Sequence, residues 1–194
     1  MRNWLILILL LSFNSFAQYR EGDVLLLSLR CYVCPLMEQT TSGPYSHSGI
    51  LMNINGTWMV AQALGKVHLV EVHKFLSQKR EGTTVAQLRP VEFIGKKLNL
   101  SEIFFQEFYN LSFDGDYLWN NYDQNGNEKY YCSEFVAKFL NLFLKNPLLP
   151  SPMDFSYDFN LWRQVLGKWP PQGELGNSPN SFYFSNQFQI VEEN

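Results

Sequence analysis

In the stretch YSHSGILMNINGTWMVAQA, two β-rich runs meet at Asn55-Gly56. That dipeptide accepts the positive φ angles of a two-residue hairpin turn, so it sets a register as well as a strand pair. With Asn55 and Gly56 as the turn, Ile54 faces Thr57, Gly49 faces Gln62 and His47 faces Leu64. Opposed residues share a face of the sheet, as do residues two apart on one strand. His47 and Gln62 are then diagonal neighbours on one face, and Gly49 between them adds no side chain. A glutamine oxygen accepting from one imidazole nitrogen fixes the tautomer and leaves the other nitrogen free to act. A one-residue slip would separate the pair onto opposite faces.

Around this hairpin the pattern predicts an α+β chain. DVLLLSL (23–29) reads as a buried strand, and CYVCPLMEQTTSGP as a loop or short helical segment. KVHLVEV (66–72) and TTVAQLRP (83–90) read as the third and fourth strands of one meander. Phe104, Phe108 and Leu111 have the spacing of an apolar helical stripe beginning near Ser101. A stronger helix follows Cys132, with Phe135, Val136, Phe139, Leu140 and Phe143 on one face and a stop before Asn146-Pro147. A short helix is expected near 159–166 and a closing edge strand in QFQIV (187–191). Residues 148–176, rich in proline, glycine and aromatics, form a loop-rich insert.

The first 17 residues carry one positive charge, an apolar run from Trp4 to Phe13 and the small-residue exit Ser15-Phe16-Ala17, the layout of a cleaved export signal. A retained membrane anchor is the alternative; the run is short for a bilayer span, and no stable membrane insertion is expected after cleavage. The expected mature chain, 18–194, is one domain in the periplasm or outside a bacterial cell. A net charge of −3 offers no basic field for nucleic acid. In an oxidising compartment Cys31 and Cys34 can pair, which leaves Cys132 as an odd thiol. Counting alone does not decide between a nucleophile and an apolar core residue.

The position of Cys132 adds to the count. At a helix front, unsatisfied N–H groups and the positive end of the macrodipole favour a thiolate. The same groups can bind the oxyanion of a tetrahedral intermediate, and a nearby histidine can carry the proton. Cys132, His47 and Gln62 therefore form a candidate nucleophile, base and orienting group.

GDVLLLSL, YSHSGILM, VAQA and YYCSEFV, in this order, resemble the permuted papain-like amidases of the YiiX/YaeF type, relatives of the NlpC-type cell-wall hydrolases. The closing SPNSFYFSNQFQIV is similar to that family's last segment. The resemblance implies a circularly permuted papain-like fold, with an antiparallel sheet or half-barrel packed on the cysteine-bearing helix. It implies Cys132 as nucleophile, His47 as general base and position 62 as the orienting residue. Position 62 is usually glutamate in such proteins, and here it is Gln62. Tyr45 and Tyr131 flank the catalytic positions as candidate substrate contacts. Glu134 either belongs to the site or complements the helix dipole.

These features give an expected thiol hydrolase that opens an amide bond through a Cys132 thioester. Its expected substrates are cell-wall peptides or small peptide or amino-acid amides, and no cofactor is needed. Three other readings stand beside it. One is redox chemistry at Cys31 and Cys34, which lack a surrounding βαβ pattern. Another is a non-catalytic peptide or amino-acid binder on the same fold. The third is an acyltransferase or lipid esterase, with residues 148–176 covering an acyl chain. His68 and His73 have a spacing that suits no metal site, and DQNGNE (123–128) reads as a solvated turn rather than a calcium loop.

Overall fold

The computed structural model describes residues 19–194; the segment read as an export signal lies outside them. Six strands form one antiparallel sheet. They are β1 (Val24–Leu27), β2 (His47–Ile54), β3 (Thr57–Leu64), β4 (Lys66–Glu71), β5 (Val85–Pro90) and β6 (Phe188–Glu193), arranged in the order β6-β5-β1-β2-β3-β4. The hairpin has the expected register: Ile54 opposes Thr57 and Ile50 opposes Ala61. Asn55 and Gly56 both take positive φ, 51° and 86°. Gly65, at φ 70°, turns the chain again so that Gln62 opposes His68 across β3 and β4.

The meander stops at β4, because β5 pairs with β1 rather than with β4. Asp23, at the head of β1, is fully buried and ties β1 to β5. Its carboxylate accepts from Arg89 Nε and Nη2 at 2.7 Å each and from Gln87 Nε2 at 2.6 Å. A bidentate charged pair of this kind would be left badly uncompensated if β5 sat elsewhere. The closing strand β6 pairs with β5 on the outer side.

Helices cover both faces. α1 (Cys34–Thr40) precedes β2, and α2 (Val72–Leu76) packs Phe75 against Leu25, Leu27, Leu51 and Val60. On the opposite face α4 (Cys132–Asn141) seats Phe135, Val136, Phe139 and Leu140 against Val24, Leu26, Ile50, Met52 and Ala61. The helix expected from Ser101 is short: α3 (Ser101–Ile103) runs at once into a π-helical turn, Phe104–Phe108. That wider turn buries both Phe104 and Phe108 against Phe139, and it leaves Leu111 outside the helix. α5 (Phe159–Leu166) and α6 (Pro179–Tyr183) complete the chain. The α5 helix belongs to a satellite cluster in which Phe155 and Trp162 pack on Leu36 of α1.

Candidate active site

Tyr131 is the N-cap of α4 and offers no side-chain cap. The first backbone N–H groups of the helix therefore remain for another acceptor. The backbone N–H groups of Ser48, Ser133 and Cys132 act to lower the pKa of the Cys132 thiol. The Ser48 hydroxyl, buried beside it, makes no hydrogen bond among the described residues. From the other side the sulfur lies 4.0 Å from the Ser46 carbonyl oxygen. Cys132 thus sits at the start of β2, beside Ser46 and Ser48, the two residues that bracket His47. Burial outweighs these donors and holds the thiol above its ordinary pKa.

His47 is 2% exposed, and its Nε2 lies 2.7 Å from Gln62 Oε1. The hairpin geometry delivers that bond. Phe75 lies against the imidazole, with ring centres 5.6 Å apart. Gly49 makes room for this neighbour: a Cβ there would stand 2.4 Å from Val60 Cγ1 and 3.1 Å from Phe75. Burial lowers the His47 pKa to about 4; the Gln62 bond opposes the shift and His68 adds to it. At neutral pH both groups therefore rest uncharged, Cys132 as a thiol and His47 as an imidazole.

Position 46 is fastened from behind. Glu38 of α1 accepts from the hydroxyls of Ser28 and Ser46 at 2.5 and 2.9 Å, and from Arg80 at 2.6 Å. Asn180 of α6 brackets Tyr45, accepting from its N–H at 3.1 Å and donating to its carbonyl at 2.9 Å. Cys31 and Cys34 are joined by a disulfide at the start of α1, which leaves Cys132 as the free cysteine.

A cavity of about 280 Å³ opens on Cys132. Its walls include Met37 and Thr41 from α1, Tyr117, Tyr131, Met153, Phe155 and Trp162, with Asn177 and Phe184 from the closing segment. Tyr131 lines it as expected, and its hydroxyl accepts from the Asn177 N–H at 3.1 Å. Tyr45 borders the cavity, but its fully buried side chain is committed to structure: its hydroxyl donates to Glu193 of β6 at 2.7 Å. Glu134 points away into a separate network. It accepts from the Asn120 N–H at 3.0 Å and pairs with Lys138 at 2.8 Å, and burial raises its pKa to about 7. Among the described residues, Asp154 is the one carboxylate on the cavity wall, and no Lys or Arg lines it.

A family model described as permuted papain-like amidase enzyme, YaeF/YiiX, C92 family, matches residues 18–192. The chain belongs to the YaeF/YiiX permuted papain-like amidases. The YaeF/YiiX fold is also seen in the crystal structure of the metalloprotein YiiX from Escherichia coli O157:H7. That structure superposes with a TM-score of 0.74 at 19% identity, covering 91% of this chain and 98% of that one. No curated protein matches the sequence. YiiX is titled a metalloprotein, yet among the described residues here no three His, Cys, Asp or Glu side chains converge on a point. That donor set does not fit a metal centre.

Sequence reasoning missed Ser48, His68, Glu38 and the cavity walls. The register argument, carried through Gly65, would have reached His68. Ser48 gives no signal until α4 is placed on β2.

Proposed function

We propose that this YaeF/YiiX-type protein is an exported thiol hydrolase that cleaves an amide bond through a Cys132 acyl-enzyme. The observation that carries the reading is the placement of the Cys132 sulfur, at a helix N-terminus and on the backbone flanking a histidine tied to Gln62. In the proposed reaction His47 takes the thiol proton as sulfur attacks the carbonyl carbon. The N–H groups of the α4 front stabilise the oxyanion. The C–N bond then breaks, and the leaving amine takes the proton from His47. Water, deprotonated by His47, attacks the thioester; the acid leaves and the thiol is restored.

Gln62 orients His47 but adds no negative charge. The imidazolium is therefore formed only in the course of the reaction, not stored beforehand. This follows from a His47 pKa near 4 beside a raised Cys132 pKa.

The cavity favours an uncharged acyl portion carrying apolar or aromatic groups, since Met, Phe, Tyr and Trp dominate its walls and, among the described residues, no Lys or Arg lines it to pair a carboxylate. Cell-wall peptides remain in the proposal where the bond cleaved lies beside such an uncharged group. The same walls support the second reading, hydrolysis or transfer of an apolar acyl group, because residues 151–155 and Trp162 of the insert reach the cavity. The disulfide supports an oxidising compartment, periplasmic or extracellular.

The test is intact-mass spectrometry after incubation with libraries of peptide amides and acyl esters. An acyl adduct on Cys132, absent in Cys132→Ala, identifies both reaction and acyl group. Turnover that survives Cys132→Ala would overturn the proposal. Binding of peptides without turnover or adduct would favour the non-catalytic reading.

A further inference from the structure

Gln62 poses a problem that a carboxylate would not. Its amide has an oxygen at one end and an NH₂ at the other, of nearly the same shape. The residue is fully buried, so no solvent can choose between the two orientations. If the NH₂ faced His47, Nε2 would have to accept, the proton would move to Nδ1, and the lone pair needed for base catalysis would be lost.

The neighbouring strand removes the ambiguity. His68 Nδ1 lies 2.8 Å from the Lys66 carbonyl oxygen. A carbonyl can only accept, so Nδ1 carries the proton. In its neutral form His68 then has no second N–H, so its Nε2 is an acceptor. That acceptor lies 3.2 Å from Gln62 Nε2. The amide must therefore turn its NH₂ to His68 and its oxygen to His47, where the Nε2 distance is 2.7 Å. His47 must donate from Nε2, and Nδ1 keeps the lone pair. Each step follows from the one before, starting at a backbone carbonyl whose role is fixed.

We infer that His68 is a positioning residue which, through Gln62, sets the tautomer of His47. The inference rests on His47 being the base of the proposed reaction. It also explains how an amide can serve where a carboxylate is usual: a carboxylate accepts from either oxygen and needs no director, whereas Gln62 needs His68. The dependence is pairwise, and a double-variant cycle can isolate it. His68 stands on the edge strand β4 and is only partly buried, so its replacement leaves the core intact.

Two measurements decide the matter on the full exported chain. The first needs no activity. Proton–nitrogen correlation spectra of ¹⁵N-histidine-labelled protein, near pH 7.5, should show His68 protonated at Nδ1 and His47 at Nε2 in the wild type. His68→Leu should give a mixture of both His47 tautomers, and His68→Glu, whose carboxylate can only accept, should return His47 to Nε2–H. The second uses the amide or ester on which a Cys132 adduct is seen. His68→Leu should lower kcat about tenfold with KM unchanged, the size expected for losing one neutral hydrogen bond. In the Gln62→Glu background the same change should have no effect. A His47 that keeps a pure Nε2–H tautomer in His68→Leu would overturn the inference. So would an equal kcat loss in both backgrounds. If the wild type turns over nothing, the proposed function fails while the tautomer measurement still decides the role of His68.

Discussion

Exchanging Gln62 for glutamate tests how the reactive pair is charged. The Gln62 oxygen is 2.7 Å from His47 Nε2, so a carboxylate there would stand with its charge centre about 4 Å from an imidazolium. At an effective dielectric of about 20 their attraction is about 4 kcal/mol, or roughly three pKa units. Desolvation of the new carboxylate reduces this, and one to three units is the expected range. His47, now held near 4, would rise to between about 5 and 7. Part of the Cys132 thiol would then ionise as an ion pair. The assay is the rate of Cys132 alkylation by iodoacetamide against pH, which needs no substrate and reads the single free thiol. In the wild type the rate should climb about tenfold per pH unit to beyond pH 9, because burial raises that thiol. In Gln62→Glu a shoulder should appear between about pH 5 and 7. A wild-type plateau anywhere below pH 8 would refute the neutral-pair argument.

Asp23→Asn would take from Arg89 the carboxylate it forks onto and should cost about 3–5 kcal/mol in urea-unfolding free energy, as expected when one partner of a buried ion pair is removed. His47 should make the fold acid-sensitive. Its folded pKa lies below its unfolded value, so the unfolded chain binds more protons between about pH 6.5 and 4 and stability falls as pH drops through that window. His47→Asn should then gain roughly 2–3 kcal/mol on the wild type between pH 7 and 4.5, measured by urea midpoints. Glu134 titrates in the opposite sense and cancels in this comparison. Gly49→Ala should cost about 1–3 kcal/mol through overpacking against Val60 and Phe75, with a shifted His47 resonance as its local sign.

The hairpin was readable because Asn55-Gly56 specifies both a turn and a register, and the His47–Gln62 contact follows from counting. The cysteine helix was readable because a broad apolar stripe begins one turn after Cys132. The position of β5 was not, because adjacency in sequence suggested pairing with β4. What places β5 beside β1 is Asp23 meeting Arg89 and Gln87, a contact between residues more than sixty positions apart. The π-turn at Phe104–Phe108 was hidden because helical periodicity does not distinguish a four-residue from a five-residue repeat over so short a run. The cavity had no linear signature, since its walls come from α1, Tyr117, the front of α4, the insert and α6.

That division of origin separates two kinds of change. His47, Gln62 and His68 are aligned by the backbone ladder of β2, β3 and β4, so a substitution that preserves register preserves their chemistry. Met153, Phe155 and Trp162 sit on a peripheral segment whose own small core leans on α1. Under the proposed reaction, diversification of that segment would recut the acceptable acyl group while the proposed proton relay is inherited unaltered. A library randomised only at those three positions is the natural place to look for new substrates on this scaffold.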